Sequence, residues 1–145
     1  MAEKFEIVVV DDYQSDVQLV LRMFKRNRIA NKIHVVHDGV EALDFVFCRG
    51  AYSNRSLINP PGVILLDIRL PKLDGWETLR QIKSDPRTRN IPVLMISGLS
   101  SADEQEKARQ MGALGCIEKP IRFEQLREAL VASGFVWSIV VHPES

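Results

Sequence analysis

Five short apolar or β-branched runs punctuate the chain, at residues 5–10, 32–36, 63–66, 93–96 and 115–118. Four to eight apolar residues bounded by turn signals read as buried strands. Between them the apolar positions recur every three or four residues, the period of a helix. Val17, Val20, Leu21, Phe24 and Arg28 share one face of a first helix. Val40, Leu43 and Phe47 mark a second, and Trp76, Leu79, Ile82 and Lys83 a third. Ser101 followed by Asp103 and Glu104 is a helix-start signal for a fourth, ending near Met111-Gly112. Phe123, Leu126, Leu130 and Val131 mark a fifth.

Helices alternating with near-continuous apolar strands imply an α/β protein with a parallel sheet covered on both faces. Right-handed crossovers then favour a doubly wound, flavodoxin-like five-stranded sheet in the order 2-1-3-4-5. Two segments stand outside this alternation. Residues 49–62 form a long, turn-rich stretch before the third strand, and residues 135–141 are apolar although they lie close to the last residue. The expected division is a domain over residues 1–134 and a tail over 135–145 for dimerisation or docking.

The strands end on polar residues. Asp11 and Asp12 follow the first, Asp67 the third, Ser97 the fourth and Lys119 the fifth. In the order 2-1-3-4-5 these ends face one crevice, where open parallel sheets build their sites. Three carboxylates, a hydroxyl and an amine suit a divalent cation and a phosphoryl group. Clustered carboxylates repel unless they share protons or bind a cation. Mg²⁺ accepts one or two carboxylates together with phosphate oxygens and waters.

Bulk properties narrow the partners. A chain of 145 residues fits one domain. Its 19 basic and 19 acidic residues give no net charge, which does not favour nucleic acid as a partner. No apolar stretch approaches the roughly 20 residues that span a bilayer, and the polar start is unlike a secretory signal. Cys48 and Cys116 lack metal-ligand spacing and are expected as buried free thiols of a cytoplasmic protein. His34, His37 and His142 do not cluster at ligand spacing. Trp76 is expected to serve packing. Taken singly, any of the strand-end acids would pass as a helix cap; their joint occurrence at the strand ends argues for a site.

This ordered set, with the turn Leu70-Pro71-Lys72-Leu73-Asp74-Gly75 after Asp67 and with Lys119-Pro120 after the fifth strand, resembles the response-regulator receiver domains of two-component signalling. The resemblance implies that Asp67 is the phosphoacceptor, that Asp12 binds Mg²⁺ directly and Asp11 through water, and that the backbone carbonyl of Arg69 is a further ligand. It makes Lys119 the partner of the phosphoryl group, with a cis bond to Pro120, and Ser97 the switch hydroxyl, with the small Gly98 leaving access. It implies a signalling protein rather than an enzyme, phosphorylated by a sensor histidine kinase. The long loop and apolar tail are similar to those of single-domain regulators that partner phytochrome-type kinases. They point to a homodimer through the tail and the face formed by the fourth helix, fifth strand and fifth helix, with no output domain after it.

Two positions depart from the family pattern. Three residues before the lysine, where Tyr or Phe is usual, stands Cys116, which has no ring to swing inward. Arg69 lies two residues past Asp67, at the border of the cleft. Both support an alternative, an interaction module with the receiver fold that does not switch by phosphorylation. A phosphatase using Asp67 as nucleophile is disfavoured, because that chemistry needs an acid where Arg69 stands. A nucleotide enzyme is disfavoured by the lack of a Gly-rich phosphate loop.

Overall fold

Capping side chains set where three of the helices begin. The Asp38 carboxylate accepts from the Glu41 amide, Asp74 from Glu77 and the Ser101 hydroxyl from Glu104, at 2.7, 2.9 and 3.1 Å. Each cap satisfies an N–H that has no partner within the helix. The computed structural model describes residues 6–132. In chain order the elements are β1 (Ile7–Val10), α1 (Gln14–Arg26), β2 (Ile33–Val36), α2 (Gly39–Val46), β3 (Val63–Asp67), α3 (Gly75–Ser84), β4 (Val93–Ser97), α4 (Ala102–Gln110), β5 (Gly115–Glu118) and α5 (Phe123–Ala132). A short 3₁₀ turn at Gly50–Tyr52 interrupts the long connection before β3.

All strand pairs are parallel, and the sheet order is β2-β1-β3-β4-β5, as the alternation of elements implies. Side chains alternate between the two faces. Val8, Val10, Ile64, Leu66, Val93 and Met95 pack with Leu43, Phe45, Leu79 and Ile82 of α2 and α3. Ile7, Val9, Val63, Leu65, Leu94 and Ile96 pack with Val20, Phe24, Leu126 and Leu130 of α1 and α5. Each such side chain, removed from water, stabilises the fold by roughly 1.5–3 kcal/mol. Two filled faces leave only the sheet ends for a site.

Several expected positions are corrected. α1 ends at Arg26, and Arg28 sits at φ 58° beyond it; Met23 takes its place on the buried face. In α2 the buried stripe is Gly39, Ala42, Leu43 and Val46, so Val40 points outward and is 44% exposed. Val131 lies one residue past buried Leu130, about 100° around the helix, and is 70% exposed. Cys116 is buried as expected, but Cys48 is only half-buried, at φ 56° just past α2. Trp76 does serve packing: it lies against the α2–α3 core, with the Lys107 ammonium 4.5 Å from its ring centroid. Phe5 and the tail at 135–145 fall outside the described residues.

Candidate functional site

Four strand ends converge on one cleft of about 550 Å³, lined by Asp12, Tyr13, Asp16, Asp67, Arg69, Ser97, Gly98, Glu104 and Lys119. The convergence follows from register. Asp67 pairs with Ile96, and Ser97 with Glu118, so the polar residues emerge at one level of the sheet. The Lys119 amide then donates to the Ser97 carbonyl at 2.8 Å, and its bond to Pro120 is cis.

The Lys119 ammonium is the hub. It donates to Asp67 Oδ2 and to Asp16 Oδ2, each at 2.7 Å, and lies 3.1 Å from Asp11 Oδ2. Asp67 is 6% exposed, and its Oδ1 accepts from the Arg69 amide at 3.1 Å. Asp11, also buried, accepts from the Tyr13 amide at 2.9 Å. Asp12 is exposed on the cleft wall, and Arg69 carries its side chain into solvent at the rim. Gly98 is exposed, and an added Cβ there would meet nothing within 4 Å.

Gly75 has a stricter role at the start of α3. Its amide donates to the Ile68 carbonyl at 2.8 Å, and a Cβ on it would lie 2.2 Å from the Asp67 carbonyl oxygen. Only glycine lets α3 pass this close to the backbone of Asp67.

Charge in the cleft is unbalanced. Five acids, Asp11, Asp12, Asp16, Asp67 and Glu104, face one lysine, with Arg69 exposed at the rim. Burial raises the Asp11 pKa, and the neighbouring Asp67 charge adds to the rise against the pull of the Tyr13 amide and Lys119. Burial works against the Lys119 ammonium, but Asp16 and Asp67 outweigh it and hold its pKa above the ordinary lysine value. An over-acidic, half-buried pocket of this kind favours a further cation. Among the described residues no closed set of three or more His, Cys, Asp or Glu ligands occurs. Mg²⁺ does not require one, since one or two carboxylates with carbonyl and water oxygens suffice. The donors fit it.

Two residues at the site escape sequence reading. Asp16, in the first turn of α1, was legible only as a helix-start acid; its spacing of four from Asp12 is the available signal. Glu104 has the spacing of a capping-box acid three residues after Ser101. Its Oε1 instead accepts from the Ser97 hydroxyl at 2.8 Å, while Ser97 Oγ accepts from the Leu99 amide at 3.2 Å.

Comparison with known proteins agrees with this geometry. Residues 7–131 match the family described as the response regulator receiver domain. The probable methanogenesis regulatory protein FilR2 of Methanothrix harundinacea (strain 6Ac) is 35% identical over 128 residues, covering 88% of this chain and 80% of that protein. Response regulator Rcp1 of Synechocystis sp. is 35% identical over 98 residues, 68% of this chain and 65% of Rcp1. The bacteriophytochrome response regulator AtBRR has a similar structure, with a TM-score of 0.85 at 35% identity over 97% of this chain and 99% of that one. The Mn²⁺-bound form of Rcp1 aligns with a TM-score of 0.73 at 28% identity, over 97% of this chain and 99% of that one. Because the family match runs from β1 into α5, it takes in every strand end that builds the cleft, and the chain belongs to the response regulator receiver domain family.

Proposed function

We propose that the chain is a response regulator that accepts a phosphoryl group on Asp67 from a sensor histidine kinase and signals through the resulting change of surface. The observation that supports this best is the Asp67 carboxylate at the end of β3, held by Lys119 in a cleft with surplus negative charge. Asp67 attacks the phosphorus of a phosphohistidine. The new bond is carboxylate O–P, the P–N bond breaks, and the leaving imidazole takes up a proton. Asp12, Asp67 and the Arg69 carbonyl would hold Mg²⁺ directly and Asp11 through water, and the ion would supply charge neutralisation to the equatorial phosphoryl oxygens. Lys119 moves its ammonium from the carboxylate to those oxygens, and Ser97 donates its hydroxyl to them. Water later attacks the same phosphorus, returning the Asp67 carboxylate and inorganic phosphate.

Similarity to AtBRR supports a phytochrome-type kinase as the partner, and a homodimer through the α4–β5–α5 face, in the cytoplasm, completes the reading. Among the described residues no helix is long and apolar enough to cross a membrane.

Intact mass spectrometry after incubation with Mg²⁺ and acetyl phosphate tests the chemistry. Wild type is expected to gain one phosphoryl group and Asp67→Asn none. Buried Cys116, at the position of the usual aromatic switch, favours a second reading, a receiver-fold module that binds partners without phosphorylation. A folded wild type that gains no phosphoryl group from acetyl phosphate or from a cognate kinase would establish that reading instead.

A further inference from the structure

A serine hydroxyl carries one hydrogen and can donate it to one acceptor at a time. In this structure the Ser97 hydrogen goes to Glu104 Oε1, at 2.8 Å, although Ser97 lines the same cleft as Asp67. Bonding to a phosphoryl group on Asp67 therefore requires Ser97 to leave Glu104. Phosphorylation also replaces the single charge of the Asp67 carboxylate with the roughly −2 charge of an acyl phosphate, in a cleft that the Glu104 carboxylate already lines. Both effects push in one direction, away from the Ser97–Glu104 bond.

Glu104 is well placed to pass that change on. Its amide is the one capped by Ser101, so it forms the first turn of α4. The loop leading into that turn rests on β5: the Ser100 hydroxyl donates to the Cys116 carbonyl at 3.4 Å and the Ser100 amide to Glu118 at 3.1 Å. Gln105 in turn donates to the Ser100 hydroxyl at 3.4 Å. Burial raises the pKa of the Cys116 thiol, and the Glu104 charge contributes to the rise, which places that carboxylate within electrostatic reach of the position where an aromatic ring is missing.

We propose that Glu104 is a positioning residue for the switch: it holds the Ser97 hydroxyl away from Asp67 in the resting state. Its release, rather than the swing of a ring, carries phosphorylation into the β4–α4 loop and the first turn of α4. The inference rests on the phosphoryl-acceptor reading of Asp67.

The test is the rate of phosphoryl gain from acetyl phosphate with Mg²⁺, read by intact mass, in wild type, Glu104→Ala, Glu104→Gln, Ser97→Ala and the Ser97→Ala/Glu104→Ala double variant. Amide hydrogen exchange of residues 98–105 is followed in parallel, with and without beryllofluoride as phosphoryl mimic. Glu104→Ala frees the hydroxyl and is expected to speed phosphorylation about fivefold, the net scale of one ordinary intramolecular hydrogen bond. Glu104→Gln keeps an acceptor for Ser97 without the charge, and its rate is expected to rise less than about twofold. In the Ser97→Ala background, removal of Glu104 is expected to change the rate by less than about 1.5-fold, because the partner it acts through is gone. Exchange at 98–105 should quicken with beryllofluoride in wild type and be already fast without it in Glu104→Ala.

An equal rise in Glu104→Gln would mean that charge alone acts, and would overturn the proposal. So would an undiminished rise in the Ser97→Ala background, or a Glu104→Ala variant matching wild type in rate and exchange. Should wild type neither gain a phosphoryl group nor respond to beryllofluoride, the reading of Asp67 falls, and this inference with it.

Discussion

Two clusters in this molecule hold a cation against carboxylate, and they are built on opposite plans. Near the amino-terminal end of the sheet, Glu6 takes a hydrogen bond from Arg55 Nη1 at 3.1 Å and pairs with His34 Nε2 at 2.6 Å. The Arg55 guanidinium lies 3.7 Å from the Phe45 ring centroid, and Tyr52 packs edge-on to the same ring while donating to Glu41 at 2.6 Å. One acid here serves two donors, and the arrangement pins the long connection 49–62 to α2 and β2. At the other end of the sheet one ammonium serves three acids, Asp11, Asp16 and Asp67. In the first cluster the Glu6 charge is matched by Arg55, although Arg55 Nε is buried without a hydrogen-bond partner. The second carries unsatisfied negative charge, and it sits in a cleft where a cation and a phosphoryl group can enter. The balance of charge, more than the presence of ion pairs, separates a structural cluster from a reactive one.

Removing one member from each cluster should therefore have opposite effects on stability. The largest change is expected from Arg55→Ala, which strips Phe45 of its cation and Glu6 of a partner. A loss of about 2 kcal/mol is expected in denaturant unfolding. A loss under about 0.5 kcal/mol, the range of an ordinary surface pair, would show that the strap is not held by this cluster.

Asp11→Asn should do the reverse. With one less carboxylate around Lys119, unfolding without metal should require about 1 kcal/mol more than in wild type, while the asparagine oxygen still accepts from Tyr13. Adding Mg²⁺ should stabilise wild type and stabilise the variant less, by the loss of a ligand. A destabilised Asp11→Asn would mean that the cleft acids support the fold, contrary to the contrast drawn above.

The smallest effect is in the acid limb of the stability profile. Burial opposes ionisation of Glu6, but His34 and Arg55 prevail and lower its pKa below 4.5. A lowered carboxylate stabilises the fold above its unfolded pKa, and that contribution is lost as pH falls through the folded value. Asp11 is raised above 3.8, so its contribution is present below that value and is lost as pH rises through the folded one. Between about pH 3 and 5 the two clusters thus oppose each other. Glu6→Gln should flatten the acid loss of stability and Asp11→Asn should steepen it, as thermal unfolding across that range would record.

Much of this molecule was legible before its structure. The five strands, the sheet order and the set of polar residues at strand ends follow from local pattern and from the handedness of crossovers. A parallel sheet with both faces filled allows few alternatives, and its site lies where the strands stop. Element edges were less legible. Val40 and Val131 are apolar and in register with a helix, yet each lies just off the stripe that the sheet covers.

Partner choice within the cleft was decided by the tertiary structure alone. Lys119 has several acids within reach in the sequence reading, but Asp16, 103 residues away, becomes a partner only when α1 and the β5–α5 turn stand side by side. Likewise the spacing of Ser101 and Glu104 encodes a helix cap, while the docking of α4 against β5 turns the Glu104 side chain toward Ser97. Hydrophobic period is a local property, written into neighbouring residues. Which charge meets which is settled by distances of a few ångströms between distant segments, and those exist only once the chain has packed.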